Sequence, residues 1–301
     1  MNSEAPTWLV TGASGFLGSN FGATPHTDHF VALTRSDQLP VGFESHVVAD
    51  LLNKSELAEA VETAQPDYIL HAAALASHEE CEQNPELAHS VNVQATEALA
   101  RVSREVGSKF IYISTDAVFD GLKGDYTETD SPSPFSVYGA TKLQGESVAR
   151  EVNADSLILR TNFFGWSPNG TRSILEFFVN NLERDNPING FTDFTVTSMY
   201  AGDLVRVIHQ LRDQVGTWHA ASPDALSKYE FGFAVAKEFG WNPDLITPVS
   251  GMGEINRSRD ISLNTEKLQS FLHSNGLPAP LSQREGIKRA HQDQNLRQVK
   301  P

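Results

Sequence analysis

The sequence predicts an α/β fold: a Rossmann-type doubly wound parallel sheet with a smaller C-terminal α/β lobe. Three observations predict it. A short apolar run at residues 8–11 enters a turn spaced by Gly12, Gly15 and Gly18 that opens a helix. Apolar, β-prone runs then alternate with helical stretches as far as residue 160. Gly12, Arg35, Asp50, Ala72, Thr115 and Thr161 each follow such a run, at the strand ends where an open parallel sheet binds ligands. The expected division is 1–165 for the Rossmann domain and 166–301 for the smaller, partly interleaved lobe.

The elements follow in order. Strand 8–11 leads into Gly12, Ser14, Gly15, Phe16, Leu17 and Gly18, a strand–turn–helix layout that offers backbone N–H groups to a pyrophosphate. The first helix is short, because Gly22 and Pro25 interrupt it. Strand 30–34 ends in Arg35 and Ser36. An acid here would accept from a ribose 2′-hydroxyl; a guanidinium instead suits a 2′-phosphate, which favours NADP and leaves NAD open. Strand 45–49 ends at Asp50 and Leu51, and a helix over 56–64 stops before Pro66. Strand 67–71 runs into Ala72, Ala73 and Ala74, small residues that let a flat ligand lie close. One long amphipathic helix over 87–106 carries Asn92 among apolar neighbours, a position that requires a hydrogen-bond partner. Strand 109–113 precedes Ser114 and Thr115, a helix covers 136–150, and strand 156–160 ends at Thr161. Helices are expected at 171–182, 203–212, 228–239 and 265–272 and a strand at 217–221, with a polar tail after Gly286 that frays.

The stretch 114–146 carries the chemistry. Tyr138 and Lys142 stand four apart and share one helix face. A cation there is expected to lower the phenol's pKa, so that Tyr138 trades a proton near neutral pH. Thr115 can hydrogen-bond the same oxygen.

Composition narrows the partners. The formal net charge of -15 repels nucleic acid and anionic lipid, so a phosphate ligand needs a local device. Cys81 is the one cysteine, so no internal disulfide is available. The N-terminus lacks a signal-peptide pattern and no apolar run nears the roughly 18 residues of a membrane span, so a cytoplasmic protein off the membrane is expected. His26 with His29, and His78 with Cys81, lack a metal-site spacing, and no metal is expected. Glu146 and Glu151 read as a solvated helix face, and Phe177 and Phe178 as core.

The run Ile-Ser-Thr-Asp-x-Val-Phe-Asp-Gly at 113–121 and the run Val-Tyr-Gly-x-x-Lys-Leu-x-Gly-Glu at 137–146 resemble the extended short-chain dehydrogenase/reductases. Within them the chain looks most like the dTDP-4-dehydrorhamnose reductases, over about residues 8–272. The resemblance implies Thr115, Tyr138 and Lys142 as the catalytic group, with Asn92 helping to position it. It implies NADPH along the strand ends, from Gly12–Gly18 past Arg35, Ser36, Asp50, Leu51 and Ala72–Ala74 to Asn92, Ser114, Tyr138, Lys142, Thr161 and Phe163. Thr115, Asp116, Ala117, Asn162 and Arg257 are expected on the substrate, a nucleotide-linked 4-keto-6-deoxyhexose, in a deoxysugar pathway. Asp116 is followed by Ala117 and not glutamate, which argues against a dehydratase. Two alternatives stand beside the reductase: a sugar-nucleotide epimerase that retains its cofactor, and a regulatory chain resembling methionine adenosyltransferase beta subunits. A homodimer stays open.

Overall fold

The computed structural model describes residues 5–251 and 259–298. The chain divides into two compact units. One comprises Met1–Val118, Pro132–Arg160 and Leu211–Trp218; the other comprises Phe119–Ser131, Thr161–Gln210 and His219–Pro301.

The first unit is built on a seven-stranded sheet. Its strands β1 (Thr7–Thr11), β2 (His29–Thr34), β3 (Ser45–Val48), β4 (Tyr68–His71), β5 (Lys109–Ile113) and β6 (Leu157–Arg160) pair in parallel, in the order β6-β5-β4-β1-β2-β3. Strand Gly216–His219 adds to the β6 edge. The order reverses between β1 and β4, the switch point at which such sheets open a crevice.

Both faces of β1 are buried, as a parallel sheet under helices demands. Trp8 stacks on Tyr68 at 4.6 Å and meets Phe21 at 5.3 Å on one face. Its indole N–H is satisfied by Asp28 at 2.9 Å. Leu9 points the other way, into a core with Leu57, Val61, Ile69, Leu99, Phe110 and Ile158. Each such buried side chain contributes about 1.5–3 kcal/mol.

Helices α1 (Phe16–Ala23), α2 (Lys54–Ala64), α3 (His78–Gln83), α4 (Pro85–His89), α5 (Ala95–Val106) and α6 (Val137–Val152) connect the strands. Asn53 caps α2 by accepting from Ser55 and Glu56, and Ser136 caps α6 by accepting from Gly139. The long helix expected over 87–106 is interrupted. A π turn at Ser90–Gln94 separates α4 from α5, and Asn92 lies within it. The sequence does not announce this turn, because the chain stays helical through it from Pro85 to Val106.

In the second unit, Phe163–Phe164 pairs with Met199–Tyr200 and Ile188–Phe191 with Ile246–Val249, both in parallel. Thr195–Val196 pairs antiparallel with Leu226–Ser227. Its core gathers Phe164, Phe178, Phe231, Val235 and Ile287. Phe178 is core as expected, whereas Phe177 faces outward, 49% exposed. Helices Ile174–Leu182 and Lys228–Phe239 start at capping boxes, Ser173 with Glu176 and Ser227 with Glu230. The tail expected to fray forms helix Gln283–Gln298 instead. Ile287 and Ala290 are buried, and Trp166 donates to the Ala290 carbonyl at 2.9 Å. Gln283 and Gly286 are buried with them, and Gln283 Nε2 donates to the Val196 carbonyl at 2.9 Å, so a few contacts dock a largely polar helix. No helix among the described residues is long and apolar enough to cross a membrane.

Candidate active site

The glycine turn follows β1 at the switch point. Gly12 has φ +69°, and a Cβ there would lie 2.8 Å from the Ala73 backbone nitrogen, so only glycine fits. Gly15 N–H donates to the Gly12 carbonyl at 2.8 Å, which closes the turn. Gly15 begins α1 with no side-chain cap. Uncapped first-turn N–H groups beside a tight turn are what a pyrophosphate requires, so the residues fit a dinucleotide. Ser14, Phe16, Leu17 and Gly18 complete this segment, Leu17 and Gly18 buried against it.

The next strand ends continue the line. Arg35 and Ser36 are exposed just past β2. Past β3, Asp50 accepts from Leu52 N–H at 2.9 Å, a turn that holds Leu51 in place. Past β4, Ala72, Ala73 and Ala74 are half-buried.

Ser114 and Thr115 leave β5, and a short 3₁₀ turn spans Asp116–Val118. The Thr115 hydroxyl donates to Asp116 and accepts from the Ala117 N–H, both at 3.1 Å. Gly139 backs directly onto the Ala117 carbonyl, where a side chain would clash, so the start of α6 lies against this turn. The Thr115 hydroxyl is one of the groups that act on the Tyr138 phenol, pulling its pKa down. The imidazole of His78 packs on the Tyr138 ring, 4.9 Å between centroids. This contact crosses 60 residues of sequence, so nothing local signals it. Among the described residues no group of three His, Cys, Asp or Glu side chains could hold a metal.

The electrostatics depart from expectation. Burial pushes the Tyr138 phenol up; the Thr115 hydrogen bond pulls it down, and Asp116 and Cys81 push it up again. Lys142 does not acidify it. The Lys142 ammonium is 2% exposed and rests over the Tyr112 ring, 4.0 Å from the centroid. Burial lowers its own pKa to about 7, against a smaller opposing pull from Glu146. A half-neutralised lysine aimed at a neighbouring ring is a weak source of positive charge for Tyr138.

Glu146 is not on a solvated face. It is fully buried, accepting from Ser114 Oγ at 2.6 Å and from Arg160 at 2.8 and 2.9 Å. Its helical neighbours are polar, which is why the pattern read as solvated; the partner that buries it sits on β6. Ser114 is therefore spent on this ion pair. Glu151 is exposed.

Asn92 is buried and fully bonded. Its Oδ1 accepts from Leu75 N–H at 2.9 Å, and its Nδ2 donates to Leu75 O at 3.1 Å and to Thr141 Oγ1 at 3.0 Å. In the second unit Thr161 is buried with its hydroxyl unpartnered, Asn162 accepts from Ser198, and Phe163 is half-buried. Arg257 lies outside the described residues.

A family model described as "RmlD substrate binding domain" matches residues 7–295. The chain is 34% identical over 257 residues to the "Probable low-salt glycan biosynthesis reductase Agl14" of Haloferax volcanii, covering 83% of this chain and 85% of that protein. It is 31% identical over 242 residues to the dTDP-4-dehydrorhamnose reductase of Aggregatibacter actinomycetemcomitans, covering 76% and 78%. It is 28% identical over 300 residues to the methionine adenosyltransferase 2 subunit beta of Mus musculus, covering 93% and 85%. In fold it resembles the dTDP-4-dehydrorhamnose reductase of Bacillus anthracis solved with NADP, at TM-score 0.84 and 24% identity, covering 97% of this chain and 100% of that one.

Proposed function

The chain belongs to the RmlD substrate binding domain family, and from that premise we propose that it uses NADPH to reduce the C4 keto group of a nucleotide-linked 4-keto-6-deoxyhexose. NADH remains a candidate substitute. The observation that carries the reading is that Thr115, just past β5, acts on the phenol of Tyr138 at the start of α6, in the unit whose β1 leads into the glycine turn.

The glycine turn and α1 would hold the cofactor's pyrophosphate, and Arg35 with Ser36 its 2′-phosphate. Asp50 and Leu51 would flank its adenosine, Ala72–Ala74 would leave room for it, and Lys142 would hold its inner ribose. When bound, NADPH supplies the hydride. The remaining work falls to the chain. Tyr138, kept protonated by burial, gives its proton to the oxygen that was the ketone. Thr115 hydrogen-bonds that oxygen as charge develops on it. Ala117 N–H holds the Thr115 oxygen in place, and the hydroxyl proton turns from Asp116 to the substrate oxygen as it becomes the stronger acceptor. A cytoplasmic location and a homodimer belong to the same proposal, checked by fractionation and by light scattering.

The test is a spectrophotometric screen of NADPH and NADH oxidation against nucleotide-linked 4-ketosugars. Steady NADPH consumption with one of them is expected. Conversion of a sugar nucleotide without net oxidation would mark an epimerase instead. A second reading follows from the methionine adenosyltransferase relative. Stable capture of the synthetase subunit, with no turnover on any ketosugar, would favour it.

A further inference from the structure

We infer that His71 is a positioning residue for this site: it ties the glycine turn to the Tyr138 helix through a hydrogen-bond chain that runs in one direction. The inference rests on the reading of Tyr138 as the acid.

The chain begins at Ala73, whose N–H donates to Thr11 Oγ1 at 3.1 Å. The Thr11 hydroxyl lies 2.8 Å from His71 Nδ1, and His71 Nε2 lies 3.0 Å from Thr96 Oγ1. Thr96 spends its own proton on the Asn92 carbonyl at 2.8 Å. Its oxygen can therefore only accept from His71, so Nε2 carries the ring proton. Nδ1 is then the acceptor, and Thr11 donates to it. The ring stays neutral because it is fully buried and the Lys142 ammonium is nearby, which hold its pKa at about 3. Beyond Asn92, its Nδ2 donates to Thr141 Oγ1 at 3.0 Å, and Thr141 donates to the Tyr138 carbonyl at 3.0 Å. Each hydroxyl accepts once from the residue before it and donates once to the residue after it.

Both ends of the chain are at the site. Thr11 immediately precedes Gly12, and Ala73 is the backbone against which Gly12 packs. The far end fixes the first turn of α6, which carries Tyr138. The link passes through the π turn, the one stretch of that helix where the regular ladder is broken. A buried histidine that merely filled space would need partners, but not partners that lead from one functional segment to the other.

Two measurements test this. In uniformly ¹⁵N-labelled protein, long-range ¹H–¹⁵N NMR should find His71 as the Nε2–H tautomer with a bare Nδ1, unchanged between pH 5 and 8. This readout does not depend on turnover. Separately, Thr96→Val and Thr141→Val should each lower kcat about tenfold, since small misplacements of a catalytic group are costly. KM for NADPH should stay within about twofold. The double variant should lose little more than the worse single, because both act through Asn92. His71→Gln keeps one donor and one acceptor and should recover part of the kcat that His71→Leu loses. An Nδ1–H tautomer would overturn the inference. So would unchanged kcat in Thr96→Val and Thr141→Val proteins that melt normally, with Tyr138→Phe inactive. Full turnover by Tyr138→Phe would instead sink the functional reading, and the NMR result would still judge the chain.

Discussion

Replacing Lys142 with methionine should stabilise the cofactor-free protein while removing its activity. Lys142 is 2% exposed, and burial lowers its pKa from 10.5 to about 7. The unfolded chain therefore binds a proton more tightly than the folded one, and folding is penalised wherever the unfolded lysine is charged. At 1.36 kcal/mol per pKa unit the full penalty is about 5 kcal/mol at pH 6. By pH 9 the folded lysine is neutral and the penalty has shrunk to about 2 kcal/mol. The ammonium regains about 0.5–2 kcal/mol from the face of Tyr112, which a thioether does not replace in kind. Methionine matches the lysine stem in length and needs no solvation. Urea unfolding of both proteins at pH 6 and pH 9 measures the effect. Lys142→Met should be the more stable at pH 6, and its advantage should fall by about 3 kcal/mol by pH 9. A difference that ignores pH, or a variant weaker than wild type at pH 6, would refute the reasoning. Activity should be lost at both pH values.

Three further outcomes are expected. Tyr138→Phe keeps the ring packed on His78 and should lose about 10²–10⁴-fold in kcat, read by NADPH oxidation; near-normal turnover would remove Tyr138 as the acid. Arg35→Asp exchanges a phosphate partner for a ribose partner and should cut the preference for NADPH over NADH by about tenfold or more, compared as kcat/KM ratios. Glu146→Gln leaves the Arg160 guanidinium buried without its counter-charge and should destabilise the fold by about 3–5 kcal/mol in a denaturant titration. A near-neutral Glu146→Gln would show that the pair is not held as described.

Much of the fold is legible in the sequence because it is written locally. Residues 8–11, 67–71 and 109–113 announce their strands by short apolar runs with polar residues at their ends, and β1, β4 and β5 appear there. Gly12, Gly15 and Gly18 announce the turn by residue type, and the structure gives Gly12 a left-handed backbone with no room for a side chain. Ser136 announces the start of α6 as a cap, and Tyr138 follows it at the first turn. The C-terminal helix escaped this reading because its buried apolar side chains are few, Ile287 and Ala290, and the rest of its docking is polar or glycine, as at Gln283 and Gly286.

The sequence by itself determined the order of strands and turns and which side chains stand at the strand ends, since both depend on neighbours a few residues away. Only the tertiary structure decided the charge state of the site. Glu146 meets Arg160, Lys142 meets Tyr112, and His71 meets Thr11 and Thr96 across 14, 30, 60 and 25 residues of chain. Whether a charge is solvated or buried depends on what packs over it from those distant segments, and desolvation in turn sets how tightly the group holds its proton.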